Sequence, residues 1–395
     1  MVPVSLGTLR LRATARMLHF LMAICAFTSE TTTVAASQPS RQSEANLPSR
    51  EGARSSAAVY WVGHSLVEGK VPTSWGEMSL MTFVGRFAEV RGLRYSMGDH
   101  TLWGSPLSAL WRGQPHGYTR DASSMVEKRV VFQRTAAEYD TLVLTEAIPV
   151  QSALRIEYSP YYVRQFYCAL LTANPVGRVY LYQTWVPFQG SDPYSKFPPP
   201  HRFDWRAEMI QQRKHWDELA LSAAQKSVRV PGWLERFGWT STSNAGCDLD
   251  DPIRIVPAGD AFVALSEVLA SGDQAARPKL LDGRLLAMAD LFANPYVDWP
   301  SNWPTQDDAE VQNPTAIVHG LRRRDPSKPH DDIHLSALGV YFVSLVHFAT
   351  IYRQSPLDLP APAEIGDDVA RVLQCVAWRT VVNEPRSGVR GNETC

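Results

Sequence analysis

Residues 57–66 read AAVYWVGHSL, an apolar run that ends in Gly-His-Ser-Leu. Its first six residues are apolar or aromatic, which predicts a buried strand over Ala57–Val62. Gly63, His64 and Ser65 follow the strand at once. In a sheet of parallel strands, ligand-binding groups collect at the carboxyl ends of the strands. Ser65 is therefore the first candidate for a functional residue.

Apolar segments and helical patterns alternate along the rest of the chain. The further predicted strands are Arg94–Met97, Thr141–Thr145, Arg178–Trp185 and Ile253–Pro257. The predicted helices are Trp75–Arg91, Pro160–Ala173, Phe203–Gln225, Asp260–Ala270 and a helix that Ser336 would cap. Strands that alternate with helices favour right-handed crossovers and a mostly parallel sheet. The sequence thus predicts a doubly wound α/β fold.

The composition excludes several classes of protein. The 395 residues are 45% hydrophobic and 20% charged, as is ordinary for a globular chain. Lys and Arg number 39 against 40 Asp and Glu, so no basic field is available to bind nucleic acid. No stretch approaches the ~18 apolar residues of a membrane-spanning helix. The oligomeric state is not determined by these features.

The first 36 residues have the pattern of a secretory signal peptide. Three arginines precede a short apolar run at residues 17–28, and Val34 and Ala36 occupy the positions of a cleavage site. We therefore expect a secreted or periplasmic protein that loses residues 1–36. The polar residues 37–56 are expected to form a flexible lead-in.

Four cysteines remain after such processing, and they allow three pairings: Cys168, Cys247, Cys375 and Cys395. An oxidising compartment favours one or two disulfides. Cys375 and Cys395 could close a local loop, whereas Cys168 could equally be a buried free thiol. None of the four forms a Cys-x-x-Cys pair, so a zinc site is not expected.

A second motif gives Ser65 a chemical context. Asp331 stands three residues before His334, and a patterned helix follows. An imidazole that a carboxylate orients is a general base for a serine nucleophile. Each motif alone has a simpler explanation, a helix-capping serine or a surface hydrogen bond. The order Ser, Asp, His along one α/β chain is more specific than either motif.

These two motifs resemble those of the SGNH hydrolase superfamily, the GDSL-like esterases and lipases, over about residues 57–355. The family's Gly-Asp-Ser-Leu block is matched by residues 63–66, and its Asp-x-x-His block by Asp331 and His334. The resemblance implies a three-layer α/β/α sandwich with a five-stranded parallel, flavodoxin-like sheet. It also implies a Ser-His-Asp triad without metal or organic cofactor. Residues 356–395 follow the region of resemblance, and we predict that they form a C-terminal tail with one helix over Glu364–Trp378.

The resemblance also implies an oxyanion hole made by backbone N–H groups of Ser65 and of a glycine after the second strand. Gly104 is the match, and Gly98 is the alternative. The family's third block supplies an Asn, but here Glu146 stands at the end of the third strand. We expect Glu146 to face the site and to bind a substrate hydroxyl. The alternatives are that it turns away from the site or donates as a neutral acid.

Three further residues are candidates for lining the site. His64 occupies a permissive position of the first block, and Gln183 and Trp185 lie near the end of the fourth predicted strand. Trp103, Trp299 and Trp303 could offer aromatic faces to a sugar or an acyl group, although packing within loops explains them equally well.

Together these features predict an exported serine esterase that removes acyl groups, above all acetyl, from a small-molecule or carbohydrate ester. An O-acyltransferase acting in polysaccharide modification would use the same triad. The missing Asn motivates a third reading, a non-catalytic carbohydrate-binding protein of the same fold. No nucleic-acid partner and no stable membrane span are expected.

The spacing distinguishes two neighbouring aspartates. We expect Asp331→Asn to lower ester hydrolysis by orders of magnitude, because the imidazole of His334 loses its orienting carboxylate. Asp332→Asn is the matched control and should have little effect. Initial rates on an aryl acetate test both variants, and the reverse result would move the assignment by one residue.

Overall fold

A five-stranded parallel sheet lies at the centre of the fold in the computed structural model. The structure describes residues 52–113, 122–187, 204–225, 228, 230–232, 247, 252–270, 277–292, 333–392 and 395. The strands are β1 (Ser56–Gly63), β2 (Lys70–Thr73), β3 (Gly76–Ser79), β4 (Arg94–Thr101), β5 (Thr141–Leu144), β6 (Arg178–Tyr182) and β7 (Arg254–Val256). The sheet has the order β4-β1-β5-β6-β7 with every pair parallel. Counting its strands alone, this is the doubly wound order 2-1-3-4-5.

Helices cover both faces of this sheet. They are α1 (Ser65–Glu68), α2 (Leu80–Val90), α3 (Leu107–Arg112), α4 (Ala122–Thr135), α5 (Val150–Ser152), α6 (Ser159–Ala173), α7 (Trp205–Ala223), α8 (Ala258–Ala270), α9 (Ala337–Tyr352) and α10 (Asp367–Asn383). Within the described residues, no helix combines the length and apolar character needed to cross a membrane.

Side-chain alternation along the strands divides the core into two halves. Val59 and Trp61 of β1 belong to one cluster, which includes side chains of α2, α8, α9 and α10. Tyr60 and Val62 belong to the other, which includes side chains of α3, α6 and α7. Successive side chains of a strand point to opposite faces. The predicted three-layer α/β/α sandwich with five parallel strands is confirmed.

The helix predicted over Trp75–Arg91 begins later than expected. The antiparallel hairpin β2–β3 occupies residues 70–79, and Gly76 turns it with a φ of +96°. Ser79 and Thr82 then form a reciprocal cap, in which the Ser79 N–H donates to Thr82 Oγ1 at 2.7 Å. The cap fixes the helix start at Leu80, because it satisfies N–H groups that lack intrahelical partners.

Both ends of the described fold are attached to its core. Arg54 donates its backbone N–H to Tyr352 O at 2.9 Å, and its guanidinium pairs with Asp140 at 2.6 Å. At the other end, α10 buries an apolar face in the same core cluster as α9. The tail after residue 355 therefore contributes to the main core. Residues 1–51, with the predicted signal peptide, lie outside the described residues.

Two disulfides connect the four cysteines that the sequence left unpaired. Cys168 of α6 pairs with Cys247, and Cys375 of α10 pairs with Cys395. The local loop closed by Cys375 and Cys395 agrees with the sequence expectation, whereas Cys168 is not the free thiol that stood as its alternative. Each bond is expected to restrict the unfolded chain.

His100 and His347 are fully buried in the folded chain and carry no charge there at neutral pH. Burial lowers the pKa of His100 to about 3 and that of His347 to about 3. In the unfolded chain a histidine titrates near 6.5. Between these values the unfolded chain binds protons that the folded chain does not, so stability falls as the pH falls below about 6.5. Each histidine contributes a slope of about 1.4 kcal/mol per pH unit.

We therefore expect His100→Leu to flatten the acid limb of the stability curve by about 1.4 kcal/mol per pH unit. Neither ring nitrogen of His100 has a hydrogen-bond partner among the described residues, so leucine removes only a buried polar group. His215→Leu on α7 is the control. Urea unfolding between pH 4 and pH 7 measures the slope, and an unchanged slope in His100→Leu would contradict the assignment.

Candidate active site

Ser65 lies at the carboxyl end of the central strand β1. Gly63 ends the strand where an added Cβ would collide with the Thr145 side chain, so only glycine allows this approach to β5. The Gly63 carbonyl accepts the Leu102 N–H at 2.9 Å, which ties the chain after β4 to the same point. Ser65 then opens the short helix α1, where N–H groups lack intrahelical acceptors. The serine is 9% exposed.

The backbone on both sides of His334 is anchored to the core. The Trp185 indole N–H donates to Ile333 O at 2.8 Å. Ser336 caps α9, donates its N–H to Leu291 O at 3.0 Å and its hydroxyl to Asp290 O at 2.7 Å. His334 therefore projects from a short segment whose main chain is fixed by residues distant in sequence.

These elements bring the imidazole of His334 to Ser65. His334 Nε2 lies 2.8 Å from Ser65 Oγ. The Trp103 ring stacks on the imidazole with centroids 5.5 Å apart and planes inclined by 24°. The distance is that required of a base and the hydroxyl it activates. The sequence did not predict the contact of Trp103 with His334. The position of Trp103 just after β4, at the carboxyl edge of the sheet, is the feature that could have indicated it.

His64 is a neutral cap rather than a base. Its Nε2–H donates to the backbone carbonyl of Glu146 at 3.0 Å, and Nδ1 accepts the Leu66 N–H at 3.5 Å. The pKa of His64 is lowered to about 4, mainly by burial; the hydrogen bond to Glu146 opposes this shift, and the nearby His334 adds a smaller lowering effect. A neutral ring that donates from Nε2 satisfies both contacts.

The two candidate glycines occupy different places. Gly98 lies inside β4, opposite Tyr60 of β1, where an added Cβ would collide with the Tyr139 ring. Gly104 lies in the loop from β4 to α3 with a φ of +64°, in the left-handed region that favours glycine. Gly104 is therefore the glycine that follows the strand. Its part in an oxyanion hole stays a prediction.

Glu146 is buried beside the site, with its carboxyl toward the start of α3. Its Oε1 accepts the Leu107 N–H at 3.1 Å and the Ala147 N–H at 2.7 Å. The neighbouring Ser159 hydroxyl is a further donor beside this carboxyl. Burial raises the pKa of Glu146 to about 7, against the lowering effect of the surrounding donors. The substrate contact expected for Glu146 stays a prediction.

The remaining candidates have structural partners or lie outside the described residues. The Gln183 amide exchanges two hydrogen bonds with Asp260, at 2.9 and 3.2 Å, where β6 meets α8. Trp185 is buried and acts on the backbone beside His334. Asp331, Trp299 and Trp303 lie outside the described residues. Over the described ranges, no group of three or more His, Cys, Asp or Glu could hold a metal ion.

Comparisons with known proteins leave the family open. No family description and no curated protein matches the chain. A DUF4886 family protein from Bacteroides uniformis is similar with 12% identity and a TM-score of 0.40, over 83% of this chain and 95% of its own. A lipopolysaccharide acetyltransferase periplasmic domain from Salmonella ser. Paratyphi A is similar with 12% identity and a TM-score of 0.27, over 41% of this chain and 62% of its own. Likenesses this weak carry no argument about activity.

The role of Trp185 can be separated from general packing by a matched pair. Trp185→Phe and Trp205→Phe each remove one indole N–H from a backbone carbonyl, that of Ile333 and that of Val186. We expect both to lower the free energy of unfolding by about 1–3 kcal/mol. Only Trp185→Phe should also raise the rate at which diethyl pyrocarbonate modifies His334, because it loosens that segment.

Urea unfolding and mass spectrometry of the modified peptide provide the two measurements. Equal modification rates at His334 in both variants would show that Trp185 does not position the histidine.

Proposed function

We propose that the chain is an exported serine esterase of the SGNH hydrolase type, which removes acyl groups, above all acetyl, from a carbohydrate. One observation carries the proposal, the 2.8 Å contact between Ser65 Oγ and His334 Nε2 at the carboxyl edge of a parallel sheet. Nucleophile and base within hydrogen-bond reach are the signature of covalent acyl transfer. The predicted signal peptide and the aromatic residues beside the site favour an extracellular sugar ester as substrate.

In the proposed reaction Ser65 Oγ–H donates to His334 Nε2. The oxygen attacks the acyl carbonyl carbon while the proton passes to the imidazole. His334 then returns that proton to the departing alcohol, which leaves an acyl-Ser65 ester. Water repeats the sequence in the second half, and releases the carboxylic acid and free Ser65. Asp331 is assigned to orient the imidazole.

The oxyanion of each tetrahedral intermediate is assigned to backbone N–H groups of Ser65 and Gly104. Both belong to segments tied to the end of β1, Ser65 directly and Gly104 through the Leu102–Gly63 hydrogen bond. Donors fixed before the reaction cost no reorganisation when charge develops, and one such donor contributes about 10²–10³ in rate.

The decisive experiment removes the nucleophile and the base separately and together. Ser65→Ala and His334→Ala should each reduce hydrolysis of 4-nitrophenyl acetate by several orders of magnitude, and the double variant by little more, because the residues act as a unit. Ser96→Ala on the exposed surface of β4 and His215→Ala on α7 are the controls. Wild-type rates in Ser65→Ala would refute the proposal.

Partition of the acyl group distinguishes hydrolysis from transfer. With an acetylated oligosaccharide as donor and an unacetylated one as acceptor, an esterase releases acetate in proportion to the donor consumed. A transferase would instead yield the newly acetylated acceptor, detected by mass spectrometry. Binding of the oligosaccharide without turnover of any ester would favour a carbohydrate-binding protein.

A further inference from the structure

Glu146 contacts two separate elements of the candidate site through two different groups. Its side-chain Oε1 accepts the backbone N–H of Leu107, the first residue of α3. Its backbone carbonyl accepts Nε2–H of His64, the residue that caps α1. One residue at the end of β5 thus bonds to the segment that follows β4 and to the segment that follows β1.

The bond to Leu107 determines where the loop before α3 sits. That loop contains Trp103, which stacks on His334, and Gly104. Pro106 at the cap position of α3 makes no side-chain cap hydrogen bond, so Glu146 supplies a cap from another part of the chain. A helix of six residues forms poorly by itself in water. The position of its first turn therefore depends on partners such as Glu146.

The bond to His64 acts on the other side of the same site. His64 is buried, and its ring is engaged at both nitrogens, by Glu146 and by the Leu66 N–H. This fixes the first turn of α1 and hence the backbone of Ser65. In the sheet β1 lies between β4 and β5, so the Glu146 contacts connect segments on both sides of the serine.

We propose that Glu146 is a positioning residue, which fixes the position of the loop that contains Trp103 and Gly104 relative to Ser65. It does so through two hydrogen bonds: its side-chain Oε1 accepts the Leu107 N–H, and its backbone carbonyl accepts the Nε2–H of His64. The proposal rests on the proposed esterase function for its catalytic consequence. This role requires an acceptor oxygen at the position of Oε1, but it does not require that the side chain be negatively charged. The amide of glutamine retains that acceptor, whereas methionine fills a similar volume without it.

The test compares Glu146→Met with Glu146→Gln, and uses Glu138→Met, an exposed glutamate of the turn before β5, as the control. Glu146→Met should lower kcat on 4-nitrophenyl acetate by about tenfold or more with KM within about threefold, because misplacement of site groups acts on the transition state. Glu146→Gln should restore most of that kcat. Hydrogen exchange over residues 102–107 should be faster in Glu146→Met and unchanged in Glu146→Gln.

Three results would overturn the proposal. Wild-type kcat and exchange in Glu146→Met would show that the bond to Leu107 fixes nothing. Equal losses of kcat in Glu146→Met and Glu146→Gln would show that the carboxyl itself takes part in the chemistry or binds the substrate. If Glu146→Met does not fold, His64→Asn keeps a cap for α1 and breaks the link to the Glu146 carbonyl; an unchanged kcat there would also overturn the proposal.

Failure of the esterase function has a different signature. A wild-type chain that neither hydrolyses esters nor labels Ser65 with a fluorophosphonate refutes the proposed function. In that case hydrogen exchange over residues 102–107 still decides whether Glu146 fixes the loop. Faster exchange in Glu146→Met would support the positioning role, and unchanged exchange would overturn it.

Discussion

The hydrogen bond between Ser65 and His334 joins two residues that are 269 positions apart in the chain. A contact of 2.8 Å across such a separation is made by the tertiary fold and not by any local segment. The parallel order of the sheet brings the end of β1 to the edge where ligand groups collect. The helix α9, buried along almost its whole length, fixes the segment that carries the histidine. The fold thus places two side chains that have no local reason to meet.

Hydrogen bonds from side chains to main-chain carbonyls hold several segments around Ser65 and His334 in position. Trp185 reaches Ile333 O, Ser336 reaches Asp290 O, and His64 reaches Glu146 O. A buried carbonyl must be paired, because an unpaired one carries its full desolvation cost. Each of these polar side chains therefore satisfies the backbone and fixes the neighbouring segment at the same time. The positions of Ser65 and His334 therefore depend on buried polar contacts as well as on apolar packing.

The five parallel strands follow from apolar runs and their alternation with helices, and that prediction is confirmed. Periodicity failed at Trp75–Ser79, where a helical pattern of apolar residues lies partly in a hairpin, because the Gly76 turn and the Ser79 cap decide the boundary. The approach of Ser65 to His334 was predicted from motif order. The partners of Gln183, Trp185 and Glu146 were not, because no local pattern shows which side chain pairs with which distant backbone group.

A glutamate beside the proposed oxyanion hole raises an electrostatic difficulty, because a carboxylate there would oppose the negative charge of the tetrahedral intermediate. Two features of the structure reduce it. The carboxyl oxygen Oε1 is directed to two backbone N–H groups at the start of α3 and after β5. Burial also raises the pKa of Glu146 to about 7, which favours the neutral carboxyl far more than in an ordinary glutamate. A side chain that serves as an acceptor for the backbone tolerates this neutralisation, because a protonated carboxyl keeps an oxygen able to accept. The chain can therefore place a glutamate where the resembling family has an amide without requiring that a charge face the reacting atoms.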